Sequence, residues 1–138
     1  MVSTEGEAAQ VEEEEKNWSA AIACWSRARE LLKGTPISAD DEAGKADNTT
    51  RLAAIDVAEG NTYRSAEDNA QSQARWNDAV AKLELIKSRG EHYALDMLAR
   101  AYLLLGRQQD AAPLLAAIRA AGRTPEPDTE ALEKRAKD

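Results

Sequence analysis

The chain has 138 residues and a mass of 15.0 kDa, room for one cooperative core. It has no phenylalanine and few β-branched residues but is rich in Ala, Leu, Glu and Arg, a composition that favours helices over sheets. A formal net charge of −7 excludes a general nucleic-acid backbone binder, which needs clustered positive charge, and leaves a basic peptide partner open.

At the N-terminus, Thr4 and Glu7 have capping-box spacing and predict a helix from about Glu5. Ala8, Ala9 and Val11 form a weak apolar stripe there, and Glu12–Glu15 read as a solvated acidic edge. Trp18, Ala21, Ile22, Trp25, Ala28, Leu31 and Leu32 recur at helical spacing, so both indoles are expected as core anchors. Residues 1–34 are therefore read as a first helical hairpin. The single Cys24 forms no internal disulfide. No basic stretch precedes a long apolar run, and no stretch has the roughly 20 apolar residues that cross a bilayer, which sets the expectation of a cytoplasmic protein without membrane contact.

Gly34, Thr35 and Pro36 close that helix, and residues 35–59 are read as an irregular insertion or an extra helix. Ser38 or Asp40 would cap it, with Asp41 and Glu42 in the first turn. Asp40, Asp41, Glu42 and Asp47 lack the ligand order of a calcium loop. Gly60 leaves two readings, one continuous helix or two shorter ones meeting there. The next helix carries Trp76, Ala79, Val80, Leu83 and Ile86 and stops at Gly90.

Residues 94–105 put Leu95, Leu98, Ala99, Tyr102 and Leu105 on one broad face, and Gly106 turns the chain. Ala111, Leu114, Leu115 and Ile118 follow. If Asp110 caps this last segment, Pro113 lies in its first turn, where a missing donor is harmless. Gly122 and Pro125 end it, and residues 124–138 are read as a polar terminal helix. The expected core is Trp18, Ala21, Trp25, Trp76, Ala79, Leu83, Ile86, Leu98, Ala99, Tyr102, Ala111, Leu115 and Ile118. Ala79, Leu83 and Ile86 match Ala111, Leu115 and Ile118 at a shift of 32 residues, which suggests repeated hairpins.

Between His92 and Arg123 the small, aromatic and turn positions Ala99, Tyr102 and Gly106, followed by Ala111, Leu115 and Ile118, resemble a tetratricopeptide repeat. A degraded unit precedes it at residues 60–91. The resemblance implies a single all-α domain over 1–138, with antiparallel helical hairpins stacked as a short, irregular array and two such hairpins in 60–123. It implies a non-catalytic adaptor scaffold that binds a protein or peptide on the concave face of its first helices. The polar residues it would use are Arg64, Asn69, Gln73, Asp96 and Arg100, with the two arginines holding a carboxylate. The alternative is a structural or regulatory segment of a larger multidomain protein, making intramolecular contacts or self-associating. No catalytic, metal or cofactor-binding residue is expected: His92 is the only histidine and stands at a helix start, no acid pair has separate roles, and no glycine loop cradles phosphate.

Overall fold

A computed structural model describes residues 17–137, so the capping box at Thr4 and Glu7 and the Glu12–Glu15 run lie outside the described residues. Among the described residues there are six packed α-helices and no strand. They are α1 (Trp18–Lys33), α2 (Glu42–Ser65), α3 (Asn69–Glu84), α4 (His92–Leu104), α5 (Gln108–Ala120) and α6 (Pro127–Lys137), with a 3-10 turn at Lys87–Arg89 before α4. Each of α1 to α4 packs on the helix that follows it, and α4 also packs on α2 and α6.

The turns explain the helix lengths. Gly106 and Gly122 take φ of 77° and 78°, and the residue after each returns an N–H to a carbonyl five residues back: Arg107 to Tyr102 at 2.8 Å, Arg123 to Ile118 at 3.2 Å. This closes a helix end with glycine in the left-handed region. Between α2 and α3 the same arrangement recurs with Glu67 at φ 65° and Asp68 N–H on the Tyr63 carbonyl at 2.9 Å. A side chain there costs about 1 kcal/mol of backbone strain.

These equivalent turns set the repeat. From Glu67 to Gly106 is 39 residues, and the same offset carries the start of α3 (Asn69) onto the start of α5 (Gln108). It pairs Gly60 with Ala99, Tyr63 with Tyr102, Ser72 with Ala111 and Trp76 with Leu115. The 32-residue shift is thereby corrected. It slid the second helix by two turns because Ala and Leu recur at helical spacing anyway.

Caps differ from expectation in two places. Asp41, not Ser38 or Asp40, caps α2, accepting the Gly44 N–H at 2.8 Å. Arg107, not Asp110, is the N-cap residue of α5, so Pro113 lies beyond the first turn. Asp110 is engaged instead by Arg107 Nε at 2.8 Å, while that guanidinium lies over the Tyr102 ring, 4.5 Å from its centroid. Pro113 and Gln109 are exposed, so the carbonyl that loses its partner faces solvent.

One helix runs unbroken through Gly60, taking in most of the 35–59 interval together with the first residues of the 60–123 unit. A methyl group on Gly60 would sit 2.4 Å from Trp76 Nε1, and that nitrogen donates to the Val57 carbonyl at 3.3 Å. The glycine is what lets the Trp76 ring lie against the α2 backbone.

The central cluster joins Ala53 and Val57 of α2, Ala79, Val80 and Leu83 of α3, six residues of α4 and Ala111 and Leu115 of α5. A smaller cluster holds Cys24, Trp25, Ala28 and Leu32 of α1 against Ile55. Ala21, Trp76, Leu98, Ala99, Tyr102 and Ile118 are buried, whereas Trp18 at the start of α1 and Ile86 in the turn after α3 are half-buried.

Between α1, α2 and α3 lies a buried ionic layer. Arg29 contacts Asp56 at 2.9 Å and Glu59 at 2.7 Å, Lys82 meets Asp56 at 2.5 Å, and Arg75 lies 3.6 Å from Glu59. Both carboxylates are under 4% exposed, so these cations rather than water supply their hydrogen-bond donors.

Candidate functional site

Helices α2, α4 and α6 each carry a stripe at three- and four-residue spacing that points into one shared groove. On α2 the stripe is Ala54, Val57, Ala58, Asn61 and Arg64; on α4 it is Tyr93, Met97, Arg100 and Leu104; on α6 it is Asp128, Ala131, Leu132 and Arg135. Such spacing places each set on one helical face. The α2 and α4 stripes run in the same direction along the groove, since Ala54 to Asn61 accompany Tyr93 to Arg100, and Arg64 accompanies Leu104.

The groove has two joined halves. One is a cavity of about 280 Å³ with Trp25 of α1 and Val57, Tyr93 and Met97 in its wall; the other, about 170 Å³, holds Arg64, Arg135, Leu104 and Leu132. Asn61, Arg100 and Asp128 line both. Trp25 is fixed there by an indole N–H to Thr62 Oγ1 at 3.1 Å, and Tyr93 is 52% exposed.

The charge in the second half is positive. Three guanidinium groups from three helices face one carboxylate, Asp128. Among the described residues neither Arg64 nor Arg135 forms an ion pair; Arg64 lies over the Trp76 ring at 5.5 Å from its centroid. Arg100 is partly committed, with Nε on Thr129 Oγ1 at 3.0 Å and a terminal nitrogen 3.4 Å from Asp96. Asn61 Oδ1 is buried and has no hydrogen-bond partner among the described residues.

Of the five residues expected to meet a partner, Arg64 and Arg100 fall together in this groove. Asn69 and Gln73 lie on α3, exposed and outside its lining. Asp96 is 1% exposed and outside the groove lining, where it anchors α6, accepting the Glu126 N–H at 2.7 Å and the Thr129 hydroxyl at 2.6 Å. The register reading lacked Trp25, Asn61, Tyr93, Met97, Asp128, Leu132 and Arg135. The signal available was the stripe itself on α4 and α6, where 93, 97, 100, 104 and 128, 131, 135 have helical spacing.

For chemistry, Cys24 is buried, with the Arg27 guanidinium donating to its Sγ at 3.1 Å. His92 is half-buried at the first position of α4 with Nδ1 unpartnered among the described residues, in a separate cleft with Arg89, Glu91 and Arg123. Among the described residues no three His, Cys, Asp or Glu side chains cluster as metal ligands, and no helix is long and apolar enough to cross a membrane.

Comparison of the chain with protein-family models, with curated proteins and with solved structures finds no match.

Proposed function

We propose that this protein is a non-catalytic scaffold that binds a protein or peptide segment in the groove formed by α2, α4 and α6. In this reading α2 with α3, and α4 with α5, are antiparallel hairpins of the kind found in the tetratricopeptide repeats that the sequence resembles. Helix α1 precedes them and α6 closes the array. The observation that carries the reading is the convergence of Arg64, Arg100 and Arg135 from three helices on one concave face of a chain whose net charge is −7. Arg64 and Arg135, which form no ion pair among the described residues, lie with Arg100 on one concave face of an acidic protein and there complement a ligand rather than the scaffold. The same reading assigns the protein a cytoplasmic setting and no cofactor.

The test is affinity capture from native lysate with the wild-type chain and an Arg64→Glu/Tyr93→Asp variant, both at exposed positions, with folding monitored by circular dichroism. A stoichiometric protein partner lost with the folded variant is the expected result. Capture of the same proteins by both, or of none, counts against the groove as the binding face.

A second reading, a structural segment of a larger protein, draws on the outer face of α1. Leu31 is 45% exposed there and, with Ser26, Arg27, Glu30 and Gly34, lines a shallow concavity of about 630 Å³ suited to a further packed element.

A further inference from the structure

The chain carries a complement to its own cationic groove. We infer that Glu12–Glu15 are the resident occupant of the Arg64–Arg135 end, an acidic segment of the same chain that a partner must displace. The contact itself is independent of the binding reading above, and its inhibitory consequence rests on that reading.

The arginines of this protein are unevenly paired. Arg29, Arg51, Arg75, Arg89, Arg107 and Arg119 each lie within ion-pair distance of a carboxylate. Arg64 and Arg135 form no ion pair among the described residues, yet they come from two helices to line one cavity of about 170 Å³. Both are exposed, so their donors are open to a ligand, whereas Arg100 beside them is bonded to Thr129 and Asp96. Asp128 is the one carboxylate in the lining. In a chain with 25 acidic and 18 basic residues, two guanidinium groups gathered in this way are matched by a carboxylate that lies outside the described residues.

The path of the chain brings one within range. Trp25 bonds Thr62 while Arg29 contacts Glu59 and Asp56, so α1 runs antiparallel to α2 and its start points to the Arg64 end. Trp18 precedes Trp25 by seven residues, about 10 Å of helix, and Arg64 follows Thr62 by two, about 3 Å. The chain therefore enters α1 about 7 Å beyond the level of Arg64. From Asn17, the N-cap of α1, Glu15 has a reach of at most about 7 Å and Glu12 of about 17 Å. That is enough to return to the cavity that holds Arg64 and Arg135.

Charge and tethering then favour the contact. Glu12–Glu15 is the longest run of like charge in the sequence, and its neighbouring carboxylates repel one another until cations face them. A tether this short gives the run an effective concentration on the order of millimolar, so a free acidic ligand competes against a standing occupant.

The experiment follows the arginine Nε–Hε resonances of the intact chain by nuclear magnetic resonance, those of Arg64 and Arg135 being assigned through Arg64→Gln and Arg135→Gln. The wild type is compared with a variant in which Glu12, Glu13, Glu14 and Glu15 are each changed to Gln. Both resonances should move in that variant, by the same amount at every protein concentration. A labelled synthetic peptide of residues 9–18 should bind the variant about tenfold more tightly than the wild type in fluorescence anisotropy, and adding Arg64→Gln/Arg135→Gln should remove that binding. Resonances that stay in place, or a peptide that binds both chains equally, overturn the inference and leave the binding reading standing. A shift that grows with protein concentration moves the run to a second copy and overturns the intramolecular contact. Affinity capture with the same two chains tests the consequence: a groove partner recovered in greater amount by the variant supports inhibition, equal recovery overturns it, and a groove partner recovered by neither overturns the binding reading while the resonances alone decide the contact.

Discussion

Gly60 shows how one missing side chain fixes the contact between two helices. Glycine within a helix costs about 1 kcal/mol relative to alanine, so on propensity alone Gly60→Ala would stabilise α2. The added methyl group would lie 2.4 Å and 2.5 Å from two atoms of the Trp76 ring and 3.1 Å from the Ser72 carbonyl oxygen. Trp76 is 4% exposed and its N–H is bonded to Val57, so the ring has nowhere to retreat. Overpacking of this kind costs about 1–3 kcal/mol, which exceeds the propensity gain. Gly60→Ala should therefore lower the urea midpoint; an unchanged or raised midpoint would mean that the ring moves aside and that α2 and α3 are held elsewhere.

Helix α6 depends on polar anchors more than on apolar burial. Thr129 is its one fully buried residue, bonded to Asp96, while Arg119 pairs with Glu133 at 2.6 Å and Gln108 donates to the Ala136 carbonyl at 2.9 Å. Asp96→Ala would strand the Thr129 hydroxyl, the Glu126 N–H and the Arg100 guanidinium, a loss of about 3–5 kcal/mol for a broken buried charged network. Hydrogen exchange should then show residues 127–137 losing protection while α2 and α3 keep theirs; uniform protection across the chain would remove Asp96 from this role. Elements differed in legibility for a related reason. Helix α5 has a one-sided stripe of Ala111, Leu115 and Ile118, and α4 is strongly apolar; glycines follow both, so both were readable. Helix α2 is buried on several sides by small and polar residues, Ala46, Thr50, Asp56, Glu59, Gly60 and Thr62 among them, so no single stripe marked its bounds. Its buried carboxylates could be recognised only once Arg29 of α1 and Lys82 of α3 were placed beside them.

At the scale of the molecule, the groove was half legible. Arg64 and Arg100 were reachable from helix register, but Arg135 and Trp25 join them only through packing of α6 and α1, which no local pattern encodes. Helices α3 and α4 meet in a similar non-local contact, where the Tyr102 hydroxyl of α4 donates to Glu84 at the end of α3. Burial, then the hydrogen bond to Glu84, pushes the Tyr102 hydroxyl up to about 12, against the opposing charge of Arg107. Glu84 is held below the usual carboxylate range, first by Lys87 and then by Tyr102. Since the folded chain keeps the phenolic proton that the unfolded chain releases near pH 10, this contribution is fully present below pH 10. It is lost as pH rises through about 12. Urea midpoints between pH 8 and pH 11.5 should fall more steeply above about pH 10 for the wild type than for Tyr102→Phe, which has no proton to lose. Parallel curves would mean that the contact between the units does not depend on the phenolic proton, and that apolar packing alone joins α3 to α4.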